Sequence, residues 1–282
     1  MSSPFIGSEA LRTGRLTRGQ LRWNHRAIHP DVYVARHTER TLQVNTRAAS
    51  LWVPGGVITG RAAAAVHGVT WIDPDTSVEV IGRSKRPRPG VVVREERIAA
   101  DEIRESDGLT VSTPVRTALD LARHLRRSDA IAHLDALSAV TGIDADAVLG
   151  LARRYRGARG IRRARGVVPL LDGGAGSPRE SWLRLVLIDA GLPRPATQIR
   201  VSDGYLTAFI DMGWEEDRIG LEYDGDHHLS DRRQYVKDIG RYEMLEQLGW
   251  LVIRVVKEHS REVVLHRVRE AFGRRTSFAK SA

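Results

Sequence analysis

Between Tyr205 and Asp224 the chain alternates apolar and polar residues about a polar turn, and this pattern constrains the fold more tightly than any other stretch. Tyr205–Trp214 and Ile219–Asp224 read as strands joined by Glu215-Glu216-Asp217-Arg218. With Glu216 and Asp217 at the centre of the turn, Asp211 is expected across from Glu222 and Gly213 across from Gly220. Side chains alternate between faces. One face then carries Ile210, Met212, Trp214, Ile219, Leu221 and Tyr223 and belongs to a core. The other carries Asp211, Glu222 and Asp224 above two glycines. Opposed Cβ atoms lie roughly 4.5–5.5 Å apart, where like charges destabilise the pair. Three carboxylates on one patch call for a counter-charge, and a divalent cation such as Mg2+ or Mn2+ prefers such oxygens. The glycines would leave room for a phosphate backbone to approach. The plainer alternative is a solvent-facing acidic surface, and a one-residue slip of register would reverse the faces.

The elements around this hairpin follow from local signals. Asp172-Gly173-Gly174-Ala175-Gly176-Ser177-Pro178 is the clearest break in the chain. Ser177-Pro178-Arg179-Glu180 reads as a capping box opening a helix through Ile188. A short strand at Gln198–Val201 precedes the hairpin. A helix from about Asp231 to Leu248, a strand at Trp250–Val256 and a helix at about 261–272 follow it. Residues 177–274 therefore form one domain of order αβββαβ with a closing helix.

Residues 8–50 read as a small winged helix-turn-helix, from Leu16-Thr17-Arg18-Gly19-Gln20-Leu21, Val32-Tyr33-Val34 and a polar helical stretch to Arg47. Residues 51–171 form a mixed α/β region. In it Val57–Val66 reads as a small-residue helix, Val78–Ile81 and Val91–Val93 as strands, and Thr113-Pro114 as the capped start of a helix. Two helices are expected around 128–140 and 144–155. Residues 153–165 hold seven arginines, among them Arg159, Arg162 and Arg163. They read either as a solvated basic linker or as an arm contacting phosphates. The overall class is α/β.

The formal net charge of +9 favours polyanionic partners without choosing among them. With no cysteine, disulfides, thiolate nucleophiles and Cys-ligated zinc are excluded. No apolar run approaches the roughly 20 residues of a membrane span, and the N-terminus lacks the apolar core of a secretory signal. A cytoplasmic protein with no membrane partner is expected.

Ser177–Glu180, Ile210-Asp211, Glu222-Tyr223-Asp224-Gly225-Asp226-His227-His228, Asp238, Arg241 and Leu248-Gly249-Trp250 together resemble nucleases related to the very-short-patch-repair endonuclease. These belong to the restriction-endonuclease-like, or PD-(D/E)XK, superfamily. The resemblance implies metal-dependent phosphodiester hydrolysis, with Asp211 and Glu222 as metal-binding acids and Glu180 as a supporting acid. That superfamily has lysine at the position of Asp224, and the repair branch has histidine. Asp224 would then be a third metal ligand and His228, ahead of His227, the proton acceptor. Gly60-Arg61-Ala62-Ala63-Ala64, His67-Gly68 and Thr113-Pro114-Val115-Arg116-Thr117-Ala118-Leu119-Asp120-Leu121 are similar to the antitoxin of abortive-infection-type toxin–antitoxin systems, as is the 16–34 segment. That likeness implies a DNA-binding head and a toxin partner.

Two functions follow. The first is a metal-dependent DNA endonuclease with an N-terminal DNA-binding head, where Arg18, Arg159, Arg162, Arg163 and Arg241 contact nucleic acid. The alternative is an antitoxin-like transcriptional repressor whose tail keeps the nuclease fold without its chemistry.

Overall fold

The computed structural model describes residues 3–83, 88–225 and 232–281, and it is an α/β protein. It divides into two compact units, Met1–Leu171 and Asp172–Ala282.

Unit 1 opens with β1 (Phe5–Ile6), α1 (Gly7–Arg12), α2 (Arg18–Asn24), β2 (His25–His29) and β3 (Val32–Ala35). The strands pair in the order β1-β3-β2. Two short helices joined by a turn are followed by a hairpin, the order of elements expected of this segment from its sequence. Thr17 starts α2 through a complete capping box with Gln20. Next come α3 (Leu42–Trp52), β4 (Val57–Thr59), α4 (Gly60–Val66), β5 (Val78–Ile81), β6 (Val91–Arg94), β7 (Ile103–Ser106) and β8 (Leu109–Ser112). Four helices complete the unit, α5 (Pro114–His124), α6 (Arg127–Thr141), α7 (Ala145–Ala152) and α8 (Ile161–Val167). The sheet has the order β6-β5-β4-β8-β7. Thr113 caps α5 by accepting from the Arg116 N–H, with Pro114 in the first turn.

Two sequence expectations fail in this unit. Val57-Ile58-Thr59 is strand, because these β-branched side chains are fully buried between β5 and β8. The arginine-rich 153–165 stretch is no linker. It contains α8, which buries Ile161, Ala164 and Val167 at helical spacing and leaves its arginines outside.

Unit 2 comprises α9 (Pro178–Asp189), β9 (Ala196–Ser202), β10 (Thr207–Trp214), β11 (Ile219–Tyr223), α10 (Arg232–Gln247), β12 (Leu251–Val255) and α11 (Arg261–Ser281). The sheet order is β12-β11-β10-β9, with β11 and β12 parallel and the other pairs antiparallel. One core joins Leu183, Val186 and Leu187 of α9 and Val264 and Val268 of α11 to Met212, Leu221 and Ile253. A second joins Met244 and Leu245 of α10 to Ile199, Val201, Ala208 and Ile210. The sheet is thus covered on both faces, a three-layer α/β/α stack.

The hairpin register pairs Met212 with Leu221, Gly213 with Gly220 and Trp214 with Ile219, as the turn residues implied. Its facial assignment needs correction at one residue. Ile210 packs with α10, on the face opposite Met212. Gln198, which lies between the Ile210–Ile199 and Met212–Thr197 pairs of the β9–β10 ladder, has φ 51°, and the regular alternation breaks there. Among the described residues no helix is long and apolar enough to cross a membrane.

Candidate functional site

In unit 2 the acids meet at the β10–β11 junction. The ladder stops at Met212–Leu221, one pair short of Asp211 and Glu222. Asp211 Oδ2 instead accepts the Tyr223 N–H at 2.7 Å, so its side chain replaces the next backbone acceptor. A cleft of about 340 Å3 follows, lined by Asp211, Glu222, Asp224, Asp238, Arg241 and Arg254 together with two tyrosines.

Each acid meets a different environment. Glu222 is buried, and both its oxygens are taken by Arg241, at 2.6 and 2.9 Å. The Tyr242 hydroxyl donates to the same carboxylate at 2.6 Å. This bidentate fork is the strongest form of such a pair. Asp224 is paired with Arg254. Among the described residues Asp211 has no such partner. Burial first, and then the charges of Glu180 and Glu222, push its carboxyl up to about 7.

Glu180 stands on α9. The Ser177 hydroxyl accepts its backbone N–H at 3.2 Å, while its own carboxylate accepts from Gly176 at 2.8 Å. It therefore steadies the helix start and adds charge near Asp211 without lining the cleft. His228 and His227 lie outside the described residues. The glycine pair does not open the sheet to a phosphate backbone. A Cβ on Gly220 would sit 2.8 Å from Ile210 Cγ2, so the space above it is already filled by packing.

Arg241, expected to contact nucleic acid, is held by Glu222. Arg254 and Tyr242 belong to the cleft and were not expected. A signal existed for Arg254: it is the single charge in Leu251-Val252-Ile253-Arg254-Val255, and the parallel ladder sets it beside Glu222. No sequence spacing pointed to Tyr242.

Unit 1 presents a different surface. Helix α2 buries only Leu21, leaving Arg18, Arg22 and Trp23 exposed along it. Arg36 fixes the far end of α2 by donating to the carbonyls of Trp23 and Arg22. Arg162 is exposed on α8. Arg163 donates to the carbonyls of Arg123 and Leu125, where it holds the end of α5. Arg159 lines a second cleft, described below.

Residues 45–170 match the AbiEi antitoxin C-terminal domain. Uncharacterized proteins from two strains of Mycobacterium tuberculosis, CDC 1551 / Oshkosh and ATCC 25618 / H37Rv, are each 32% identical over 204 residues, covering 71% of this chain and 73% of theirs. The chain belongs to their family. The AbiEi-type domain takes in α4, the five-stranded sheet and α5 to α8, which agrees with the antitoxin likeness of the Gly60–Ala64 and Thr113–Leu121 segments. It lies wholly within unit 1, so the acidic cleft of unit 2 rests on its own geometry.

Proposed function

We propose that the chain is an antitoxin-type, DNA-binding transcriptional repressor. The match of residues 45–170 to the AbiEi antitoxin domain carries this reading. The head ahead of it supports the DNA-binding part. An exposed helix with Arg18 and Arg22 followed by a hairpin has the form that enters a major groove and rests on the backbone. A toxin is the protein partner this reading implies. The test is footprinting on the DNA upstream of the gene. The wild-type chain should protect a discrete site, and Arg18→Glu with Arg22→Glu should lose it. An unchanged footprint in that variant would remove the head from the interface.

One observation favours a second activity in unit 2. Asp211 is a half-buried carboxylate that no guanidinium bonds among the described residues, and the charges of Glu180 and Glu222 act against it while that of Arg241 offsets them in part. A Mg2+ or Mn2+ ion would supply a counter-charge, held by Asp211 and, once Arg241 swings away, Glu222, with Glu180 adding negative charge from the start of α9. Asp224 is a further ligand if Arg254 releases it. Such an ion lowers the pKa of bound water and stabilises charge on a phosphoryl group, the chemistry of phosphodiester hydrolysis. As they stand, the guanidiniums occupy the oxygens such an ion would need, so the closed arrangement matches the repressor reading better. A plasmid-nicking assay in Mg2+ and Mn2+, with Asp211→Asn as control, decides between them. Cleavage by the wild type alone supports the nuclease, and none by either leaves unit 2 without that chemistry.

A further inference from the structure

Unit 1 contains a second cleft of about 640 Å3, within the range of roughly 300–1,000 Å3 typical of small-molecule sites. Its cationic lining is Arg94, Arg97, Arg123, Arg154, Arg156 and Arg159, with His124 beside them. The acids in the lining are Glu95 and Glu96. Glu96 is already bound by Arg123 at 2.7 Å and lies 3.1 Å from His124.

The arginines differ in what they are free to do. Arg123 is committed to Glu96 and Asp120, and its Nε–H donates to the Arg159 carbonyl at 2.9 Å. Arg154 is committed to Asp101 and Arg94 to Glu79. Arg97 donates to a backbone carbonyl and lies over the Tyr155 ring, 5.1 Å from its centroid, with no carboxylate partner among the described residues. Arg156 and Arg159 have no side-chain partner among the described residues. Among the described residues these three guanidiniums thus have no carboxylate paired with them, although Glu95 also lines the cleft.

The loop that carries two of them is fixed. Gly160 has φ 79°, and a Cβ there would lie 2.3 Å from the Arg123 carbonyl oxygen. Only glycine lets the 156–160 turn sit this close to the end of α5. The Arg123–Arg159 hydrogen bond clamps it from the other side. Glu96, Asp120 and His124 also cluster closely enough to suggest a metal site. Asp120 is bound by both Arg116 and Arg123, so a cation there would meet two guanidiniums. The field at this place suits an anion.

We infer that this cleft binds a nucleotide through its phosphates, with Arg156 and Arg159 as the phosphate forks and Arg97 beside the base or sugar. Guanidinium forks match phosphate oxygens in pairs. The concave shape and the apolar walls of Val93 and Ala158 fit a compact ligand better than an extended duplex. Nucleotide binding here does not depend on the DNA-binding reading of the head.

The test is calorimetric titration of the full chain with ATP, GTP and their mono- and diphosphates, with pyrophosphate and a 5′-phosphorylated oligonucleotide alongside. A nucleoside di- or triphosphate should bind in the micromolar range and at least tenfold tighter than pyrophosphate. Arg156→Ala with Arg159→Ala should weaken it at least tenfold. Both side chains are exposed, so this variant should keep the wild-type melting temperature. No nucleotide binding at 1 mM would overturn the inference. So would equal binding of pyrophosphate, a preference for the oligonucleotide alone, or an affinity unchanged by the double variant.

Discussion

In unit 1 the buried carboxylates Glu102 and Asp120 share one fully buried guanidinium, Arg116, at 2.5 and 2.9 Å. Tyr155, Glu96 and Arg123 complete that network. In unit 2, Glu222 and Asp224 each hold an arginine, but no guanidinium bonds Asp211 among the described residues. The difference separates two uses of buried charge. A network in which each of these acids has a guanidinium partner fixes helix α5 against the sheet edge, and the one oxygen that accepts no hydrogen bond, Oε1 of Glu102, is buried 3.4 Å from the Arg154 guanidinium. A cluster that leaves one acid unpaired is electrostatically incomplete, and burial raises the cost of that charge. Residues that look alike in sequence therefore belong to a structural lock in one unit and a candidate binding site in the other.

The sharpest way to break this contrast is to remove the shared cation of unit 1. Arg116→Met should destabilise that unit by about 3–5 kcal/mol, because it strands Glu102 and Asp120 in a buried site. Urea unfolding of the full chain would measure it, and a decrease below about 1 kcal/mol would mean that the network is not a lock. Next in size is the response of unit 2 to a cation. Saturation with Mn2+ at a hundred times its dissociation constant should stabilise the wild type by about 2.7 kcal/mol and leave Asp211→Asn unmoved. Arg241→Gln should tighten Mn2+ binding by freeing Glu222. Equal thermal shifts in wild type and Asp211→Asn would place the ion elsewhere.

Acid provides a third comparison. Burial alone would raise the carboxyl of Glu96, but hydrogen bonds from His124 and Arg123 and their charges hold it down at about 2. A depressed acid contributes stability above its unfolded value of 4.5, and loses it as pH falls from about 4.5 to 2. Glu96→Gln should remove this part of the acid sensitivity, on the order of 2 kcal/mol after discounting for the solvent that still reaches the side chain. Identical acid unfolding curves for wild type and variant would contradict the pairing. The smallest effect is expected in unit 2 without metal. Asp211→Asn removes a half-buried, repelled carboxylate while its amide oxygen can still accept the Tyr223 N–H. Stability at pH 8 should rise by about 1 kcal/mol, and a fall would show that Asp211 is not strained.

Much of unit 2 was legible because its signals are local and mutually consistent. The glycine pair and four-residue turn pinned the register, and the capping residues opened α9. What stayed hidden depends on partners far along the chain. The hold of Arg241 on Glu222 spans 19 residues, and nothing in the helix sequence distinguishes that arginine from an exposed one. Ile210 crossed to the other core because of a backbone turn in the neighbouring strand. In unit 1 one signal was present and unread. Asp107-Gly108 stands between two short runs and closes the β7–β8 hairpin, with Ser106 paired to Leu109 and both turn residues at positive φ. The arginines of 153–165 misled in the opposite direction, since their charge masked the small apolar stripe of α8.

DNA binding by unit 1 is the central claim, and its direct measurement is a salt titration of binding to the upstream DNA. Fluorescence anisotropy should compare the full chain with residues 1–171 alone. Both are predicted to bind the same site with equal slopes of log affinity against log salt. Arg18→Ala with Arg22→Ala should flatten that slope by up to about 1.8, at about 0.9 for each phosphate left without its arginine. A fragment 1–171 that folds but does not bind, or a slope indifferent to those arginines, would contradict it.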